Sequence, residues 1–237
     1  KMAIAFGAVG AAASQTAVSP LNLTGPTVSG SNTIGFAIAY GGDAVDVVTG
    51  ITWGGSAMTF INKIITNNNH YSYLYYILNP SSGATVEITY SGGSHFMSGG
   101  TIYYTGAQQS GQPDANTTTE TPNTALTSTL TTIADNCWLV SVIACDSGIA
   151  ATAGTGTIIR TGTGISWDIF DSNGARSIGS NSIIATLPIE GGNAVTASFA
   201  PATSLANLKT WNGLAKASVK TINGLAIASV KTWNGLS

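Results

Sequence analysis

Residues suited to acid–base catalysis are scarce in this sequence. His70 and His95 are the only side chains whose ordinary pKa lies near neutrality. Ser94 precedes His95 directly, but neighbouring residues of a strand point to opposite faces, so the two do not form a nucleophile–base pair. No G-x-S-x-G nucleophile elbow occurs either. We therefore predict that the protein is not an enzyme.

Aspartates occur in two close pairs. Asp43 and Asp46 lie in GGDAVDVV, a turn that enters a strand, and Asp168 and Asp171 precede the turn SNG. Two carboxylates hydrolyse a glycosidic bond only when they face each other across a cleft, and spacing along the chain does not establish this. We expect Asp171 to accept a hydrogen bond from the backbone of its own turn. No catalytic residues and no cofactor are predicted.

The two cysteines, Cys137 and Cys145, both lie in NCWLVSVIAC. On one strand they are ~26 Å apart, at ~3.3 Å per residue, so they cannot bridge each other. We predict buried thiols, which indicate neither an oxidising nor a reducing compartment. Two cysteines and two histidines at scattered positions do not form a zinc site, so no metal is predicted.

The segment HYSYLYYIL (His70–Leu78) is rich in tyrosine. Alternation places Tyr71, Tyr73 and Tyr75 on one face of a strand. One interpretation is packing of both faces in the core. The other is an exposed platform for sugar rings or a protein partner, since tyrosine offers a large amphipathic surface at low entropic cost. These three tyrosines are the candidate ligand-binding residues.

The elements that position these residues are predicted to be strands. Short runs of β-branched and aromatic residues alternate with Gly, Asn and Pro, giving about a dozen strands at ~8–12-residue spacing. No segment has the periodicity and caps of a helix. We therefore predict an all-β fold, a jelly-roll-like β-sandwich of two sheets.

Several segments support specific predictions. Ala3–Val9 is interpreted as a first strand, although KMAIAFGAVG superficially resembles a secretion signal. Gly54-Gly55 supplies the positive φ angles of a tight hairpin turn. The stretch 136–145 is apolar on both faces and is expected to be a central strand. Gln108–Thr124 is polar with two prolines and is predicted to be a long surface loop.

The composition points to an assembled or extracellular protein. Charged residues are only 8% of the chain, against roughly 25% in a typical soluble domain. A surface of Thr, Ser, Asn, Gln and Gly repels other copies weakly, so self-association meets little electrostatic resistance. No apolar run approaches the ~20 residues of a membrane span, so we predict no membrane insertion. On this composition, the expected location is extracellular.

The charge is distributed unevenly. Residues 1–207 hold ten acids and four bases, a net charge of −6, whereas residues 208–237 hold four lysines and no acid, +4. These lysines either keep an apolar tail soluble or dock the tail on an acidic surface of its own or a neighbouring subunit. Four lysines without interleaved arginines do not indicate nucleic-acid binding.

The C-terminus repeats with a period of 11 residues, in copies Leu208–Ser218, Val219–Ser229 and Val230–Ser237. Each copy is a predicted strand followed by Asn-Gly, the strongest short hairpin signal, because a type I′ turn needs positive φ at both central residues. In a meander, Ile222 would face Leu225. We therefore divide the chain into a sandwich head, residues 1–205, and a β-repeat tail, residues 206–237.

The same meander would place Lys216 opposite Lys231, and like charges directly opposite destabilise a ladder. Strands interleaved with other subunits would separate these lysines, so we interpret the tail as an assembly element. The alternative is a meander that caps its own sandwich. The predicted assembly residues are Trp211, Leu214, Val219, Ile222, Leu225, Ile227, Val230 and Trp233.

The tail pattern K-x-[I/W]-N-G-L-A-x-A-S resembles the C-terminal repeats of tailed-phage virion proteins and related proteins from environmental genomes. Phrases of the head, among them VSGSNTIGFAIAY, VTGITWGGSAMTFI, YLYYILNPSSG and TTIADNCWLVSV, are similar to the same group. The resemblance implies a β-sandwich structural part of a virion or cell surface, and it transfers no catalytic residues. Together with the composition, it implies that the location is extracellular or the virion surface.

Two functions are therefore expected. The first is a non-enzymatic structural protein that self-assembles into a virion appendage, capsid decoration or extracellular filament. The alternative is an adhesion module that binds carbohydrate or a cell surface. The predicted partners are copies of the chain itself, with other virion or surface proteins and glycans as further candidates.

Overall fold

The computed structural model describes residues 2–42, 45–65, 70–145, 150–162 and 166–202, and four two-residue strands of the tail. All the strand pairs in these residues are antiparallel, and no described residue lies in a helix. The predicted all-β sandwich class is confirmed, while its jelly-roll detail stays a prediction. The predicted boundary near residue 205 lies outside the described residues.

Ten strands precede residue 106, and we call this region the N-terminal half. They are β1 Ala5–Val9, β2 Ala13–Ala17, β3 Leu21–Thr24, β4 Ile34–Gly41, β5 Val48–Trp53, β6 Ser56–Ala57, β7 Thr59–Ile65, β8 Tyr71–Leu78, β9 Thr85–Tyr90 and β10 His95–Thr105. They form an inner sheet, ordered β1-β10-β4-β8-β7 with β2 also paired to β10, and an outer sheet, ordered β3-β9-β5-β6.

Eight strands follow up to residue 202 and form the C-terminal half. They are β11 Ala115–Thr121, β12 Ala125–Thr132, β13 Trp138–Ala144, β14 Thr152–Ala153, β15 Ile158–Gly162, β16 Trp167–Asp171, β17 Gly179–Thr186 and β18 Gly192–Phe199. Their inner sheet is ordered β11-β18-β13-β16-β15, and their outer sheet is ordered β12-β17-β14.

The four sheets stack as outer, inner, inner, outer, with three apolar cores between them. The central core joins the two inner sheets and contains Phe36 and Tyr104 from one half and Trp167 and Phe199 from the other. Each outer core lies between the inner and outer sheets of one half. Because full burial of a large apolar side chain contributes roughly 1.5–3 kcal/mol, the central core holds the halves together. The structure thus contains two stacked sandwiches where the sequence predicted one pair of sheets.

The two halves have the same strand order. With β1 and β2 counted as one strand, and the hairpin β5–β6 as another, each half has eight strands. The inner sheets then read 1-8-3-6-5 in both halves, and the outer sheets both read 2-7-4. One eight-stranded unit is therefore built twice along the chain.

Backbone irregularities recur at the same places and fix the residue equivalence. In β7 the register against β8 shifts at Ile61, and in β15 the register against β16 shifts at Arg160. The first residue of the partner strand that pairs beyond the shift is Leu74 in β8 and Ile169 in β16. Leu74 pairs with Ile38, which pairs with Gly100, and Ile169 pairs with Val142, which pairs with Val195. Ile38 is therefore equivalent to Val142, and Gly100 is equivalent to Val195.

The equivalence extends to the residues before the third strand of each half. Counting back from Ile38 and Val142 aligns Asn32 with Asn136, and both adopt left-handed backbone, with φ of 53° and 63°. Left-handed backbone is several-fold enriched in asparagine relative to other non-glycine residues. The two halves therefore share a left-handed asparagine at the point where the chain enters the central strand of the inner sheet.

Most local predictions are confirmed. The hairpin at Gly54-Gly55 is present, with φ of 58° and 78°, and pairs Trp53 with Ser56. Strand β13 is fully buried between β18 and β16, as its two apolar faces predict, and both Cys137 and Cys145 are buried.

The prediction of one long surface loop over Gln108–Thr124 is wrong for its second part. Ala115–Thr121 forms the edge strand β11, which pairs along its whole length with β18. Threonine has high strand propensity, and one face of an edge strand can stay in solvent, so a polar segment can complete a sheet. Its residues alternate between half-buried and exposed until the buried Thr121.

Candidate functional site

The candidate tyrosines share one face of β8, which packs against the outer sheet of the N-terminal half. Tyr73 and Tyr75 belong to that outer core, with 1% and 7% of their surface exposed. Tyr71 is half-buried and stacks on Tyr73, with ring centroids 5.9 Å apart at 23°. The exposed platform is therefore wrong for Tyr73 and Tyr75, because β5 and its neighbours cover them. Only Tyr71 stays partly accessible.

A polar cluster closes the end of this tyrosine face. The Tyr73 hydroxyl donates to Asp46 Oδ1 at 2.9 Å, and the Lys63 ammonium donates to Asp46 Oδ2. Burial raises the pKa of Asp46, but hydrogen bonds from Lys63 and Tyr73 outweigh it and hold the pKa below its ordinary value. Burial and the Asp46 carboxylate raise the pKa of Tyr73, which therefore stays a neutral donor.

Beside this cluster, strand β7 presents apolar side chains to solvent. Phe60 is 46% exposed and contacts Tyr75 edge-on, with ring centroids 5.2 Å apart. Ile65 is 36% exposed and pairs with Tyr71 across the strands. We call Phe60, Lys63, Ile65 and Tyr71 the β7 patch. It offers an aromatic face next to a charged pair, which suits a sugar ring or a flat polar partner.

Asp168 and Asp171 do not form a catalytic pair. Both are buried, and their contacts lie on opposite sides of β16. Asp168 Oδ2 accepts from the amide of Ala151 at 2.8 Å, within the C-terminal half. Asp171 Oδ1 accepts from the amide of Asn173 at 2.7 Å, which is the predicted turn capping. These carboxylates stabilise structure and do not face a common cleft.

The histidines contact aromatic side chains of the N-terminal half. His70 Nδ1 hydrogen-bonds the Tyr40 hydroxyl, and His95 meets Tyr90 edge-on at 6.2 Å. The part of the chain that the structure describes has no group of three His, Cys, Asp or Glu side chains arranged for a metal. None of its elements is a helix that could cross a membrane.

The tail strands that the structure describes are two short hairpins. Thr210–Trp211 (β19) pairs with Leu214–Ala215 (β20), matching Trp211 to Leu214. Thr221–Ile222 (β21) pairs with Leu225–Ala226 (β22), matching Ile222 to Leu225. This is the register that a two-residue Asn-Gly turn requires. The other predicted assembly residues, Val219, Ile227, Val230 and Trp233, lie outside the described residues.

Neither family models, curated proteins nor solved structures gave a match to this chain. The resemblance to tailed-phage virion proteins therefore stays a prediction.

An ion pair within the C-terminal half, at its contact with the N-terminal half, was missed from sequence. Arg160, in the irregular stretch of β15, donates from Nε to Asp171 Oδ2 at 2.6 Å, and its guanidinium lies 4.2 Å from the Phe6 ring centroid. The Tyr104 hydroxyl donates to the same oxygen at 3.0 Å. Arg160 and Asp171 are 11 residues apart on different strands, so no local spacing signals the pair. Arginine is rare in this chain, and that rarity is the one sequence signal that could have drawn attention to Arg160.

Proposed function

We propose that this protein is a non-enzymatic structural protein that self-assembles through its C-terminal repeats, as part of a virion appendage, capsid decoration or extracellular filament. The observation that carries the proposal is the pair of hairpins matching Trp211 to Leu214 and Ile222 to Leu225. An isolated two-stranded hairpin is marginally stable in water and needs further strands or a packed face. Repeated hairpins of this kind gain stability by associating with other copies.

The surface of the two halves supports the same proposal. On β12, Thr127, Thr129 and Thr131 are exposed while Leu126 and Leu130 are buried. On the outer sheet of the N-terminal half, Thr49 and Thr89 hydrogen-bond each other at 3.2 Å. These hydroxyl-rich faces carry little charge, with Glu87 on β9 as an exception, so little charge repulsion opposes the close approach of copies.

The test replaces single glycines of the tail in the full chain. Gly213→Val and Gly224→Val place a β-branched residue in an Asn-Gly turn that needs positive φ, which should cost ~1 kcal/mol or more per turn. The matched controls are Gly213→Asn and Gly224→Asn, since asparagine tolerates positive φ. We expect sedimentation velocity to show oligomers for the wild type and both controls, and a smaller species for both valine variants.

Thermal unfolding of the same proteins separates assembly from folding. We expect the main cooperative transition of the valine variants to stay at the wild-type temperature. A wild-type chain that is monomeric at high concentration contradicts the proposal. So do valine variants that keep the wild-type oligomeric state.

The β7 patch favours a second candidate function, adhesion to carbohydrate or a cell surface. Its distinguishing observation is Phe60, an exposed ring beside the Lys63–Asp46 pair. A glycan array should bind the wild type, and Phe60→Ala and Tyr71→Ala should each abolish binding. The control is Thr129→Ala, in the outer sheet of the C-terminal half. Tyr73→Ala is unsuitable, because Tyr73 is a core residue.

A further inference from the structure

Strand β11 lies at the edge of its sheet without the features that usually protect an edge. Among the strands that the structure describes, only β18 pairs with it, so one side of its backbone lies at the border of the inner sheet. Its register against β18 is regular from Ala115 to Thr121. Proteins commonly keep an edge strand from pairing with another chain by a bulge, a lysine or a proline. Strand β11 contains none of these.

The other inner-sheet edges are irregular. Strands β1, β7 and β15 each contain a register shift against their partner strand. Lys63 adds a charge to β7, and Arg160 adds one to β15. Bulges and charges of this kind keep an edge from pairing with another chain. Of the inner-sheet edges in the described part of the chain, the one at β11 is therefore the one that is regular along its whole length.

The edge equivalent to β11 in the N-terminal half is divided between β1 and β2. Residues 10–12 separate the paired Val9 and Ala13, one residue more than β11 has at the equivalent place. The amide of Ala11 donates to the carbonyl of Thr24 in the outer strand β3 at 3.2 Å, so the chain here bends toward the outer sheet and interrupts the edge. Strand β11 has no such break, so another strand can approach it along its full length.

The exposed face of β11 is complementary to itself. Asn116, Thr118 and Glu120 are exposed and share this face. In an antiparallel pair of two β11 strands with full overlap, Thr118 stands opposite Thr118 of the second copy, and Asn116 stands opposite Glu120. No charge then faces a like charge directly, which would destabilise the ladder. The two glutamates lie about 13 Å apart along the strands, at ~3.3 Å per residue.

We propose that two copies of this chain associate edge to edge through β11, so that the inner sheets of their C-terminal halves become one continuous antiparallel sheet. Main-chain hydrogen bonds across the new pair satisfy backbone groups that a free edge leaves to solvent. The contact is separate from the C-terminal repeats, so this inference does not rest on the proposed function. A chain with two different self-contacts can extend an assembly beyond two copies.

The test places single cysteines on the exposed face of β11 in the full chain. Directly opposed residues of an antiparallel pair have Cα atoms ~4.5–5.5 Å apart, a distance that a disulfide spans. Thr118→Cys should therefore form a disulfide with its counterpart under mild oxidation. Asn116→Cys and Glu120→Cys should each fail to link alone, because each stands about 13 Å from its own counterpart. A mixture of these two variants, equilibrated before oxidation, should link 116 to 120.

Peptide mass spectrometry identifies the linked residues, and the unsubstituted chain reports any reaction of the buried natural cysteines. Equal linkage of all three single variants would show random collision and overturn the pairing. Absence of a 118–118 disulfide would overturn it as well. The expected pattern should persist in the chain that also carries Gly213→Val and Gly224→Val. Its loss there would show that the contact needs the repeats and would overturn β11 as a separate contact.

A second measurement is sedimentation of the chain that carries Gly213→Val and Gly224→Val, whose smaller species is expected to be a dimer. Thr118→Lys should raise the dissociation constant of this dimer by about fivefold, because it sets two lysines opposite each other across the pair. The control is Asn22→Lys, which adds the same charge at an exposed position of β3. It should leave the dissociation constant unchanged. Equal effects of the two lysines, or a monomer at all concentrations before either is added, would overturn the proposal.

Discussion

The two halves of the molecule have one topology but different chemistry. All eight tyrosines lie in the N-terminal half, whereas the C-terminal half holds the Arg160–Asp171 pair. At the positions of these two residues, the N-terminal half has Ile61 and Tyr76. The shared features are backbone features: the strand order, the shifted register in the fifth strand and the left-handed asparagines. Strand pairing and turn geometry therefore specify this unit, whereas its side chains differ between the halves.

The contact between the halves is nearly symmetric. Trp167 Nε1 donates to Ser98 Oγ at 2.7 Å, and Ser72 Oγ donates to Asn193 Oδ1 at 3.0 Å. Ser72 is the equivalent of Trp167, and Ser98 is the equivalent of Asn193, so the two bonds are reciprocal. Reciprocal contacts are the mark of a two-fold interface between identical subunits. In this chain the interface lies between two copies of a unit within one polypeptide.

The largest predicted effect concerns the size difference within this interface. A Cβ on Gly100 would lie 2.6 Å from the Trp167 ring, so a small residue faces a large one. At the equivalent contact, Val195 takes the place of Gly100 and Ser72 takes the place of Trp167. The larger side chain there comes from the other position of the pair. Trp167→Ser should cost roughly 3–5 kcal/mol in urea unfolding, because it leaves a cavity.

A double-mutant cycle then tests the equivalence. Gly100→Val alone should cost ~3 kcal/mol through overpacking. In the Trp167→Ser background it should cost little, since the pair then reproduces Val195 and Ser72. Costs that simply add would contradict the equivalence of the two sites.

The second prediction concerns the Arg160–Asp171 pair, whose equivalent positions in the N-terminal half hold Ile61 and Tyr76. Arg160→Met should destabilise the protein by about 3 kcal/mol, because it leaves Asp171 buried without its charged partner. The control is Arg176→Met, which removes a guanidinium that donates to the carbonyls of Gly156 and Ser172. Its cost in chemical unfolding should be clearly smaller. Equal costs would show that the buried pair has no special role.

The third prediction concerns Asn32 and Asn136, the left-handed asparagines that the two halves share. Asn32→Ala and Asn136→Ala should each cost ~1 kcal/mol, since alanine resists left-handed backbone. Asn32→Gly and Asn136→Gly should be close to neutral, because glycine adopts positive φ readily. The shift in the urea midpoint measures both series. A penalty at one asparagine only would weaken the comparison of the halves.

The smallest effect is a pH dependence confined to the N-terminal half. The raised pKa of Tyr73 means that its neutral form is favoured in the folded state, so its contribution is fully present below the ordinary pKa near 10 and is lost as the pH rises above it. Tyr73→Phe should cost about 1 kcal/mol at pH 7, the hydrogen bond to Asp46. It should also reduce the loss of stability between pH 10 and 12, as urea unfolding would show.

Thr89→Val is the matched control, because it removes a hydroxyl of the same half that does not ionise in this range. It should leave the alkaline loss unchanged. An unchanged alkaline loss in Tyr73→Phe would contradict the prediction.

Local pattern was enough to predict much of the fold. The two apolar faces of the stretch 136–145 predicted a central strand, and β13 is buried between β18 and β16. Gly54-Gly55 predicted a hairpin, because positive φ is a property of the residues themselves. The candidate site was predicted less fully: the shared face of the tyrosines was right, but the sequence left core packing and an exposed platform both open, and Tyr73 and Tyr75 are core residues.

What the sequence by itself determined is therefore local: strand periodicity, turn chemistry and the 11-residue repeat. Tertiary structure decided the rest, namely the doubling of the sandwich, the pairing of the polar strand β11 with β18 and the meeting of Arg160 with Tyr104 and Asp171. Residues in these contacts are up to about 80 positions apart, as for Ala115 and Ser198. Strand pairing uses backbone groups that every residue carries, so the choice of partner is set by which faces can be buried together and not by any short stretch of sequence.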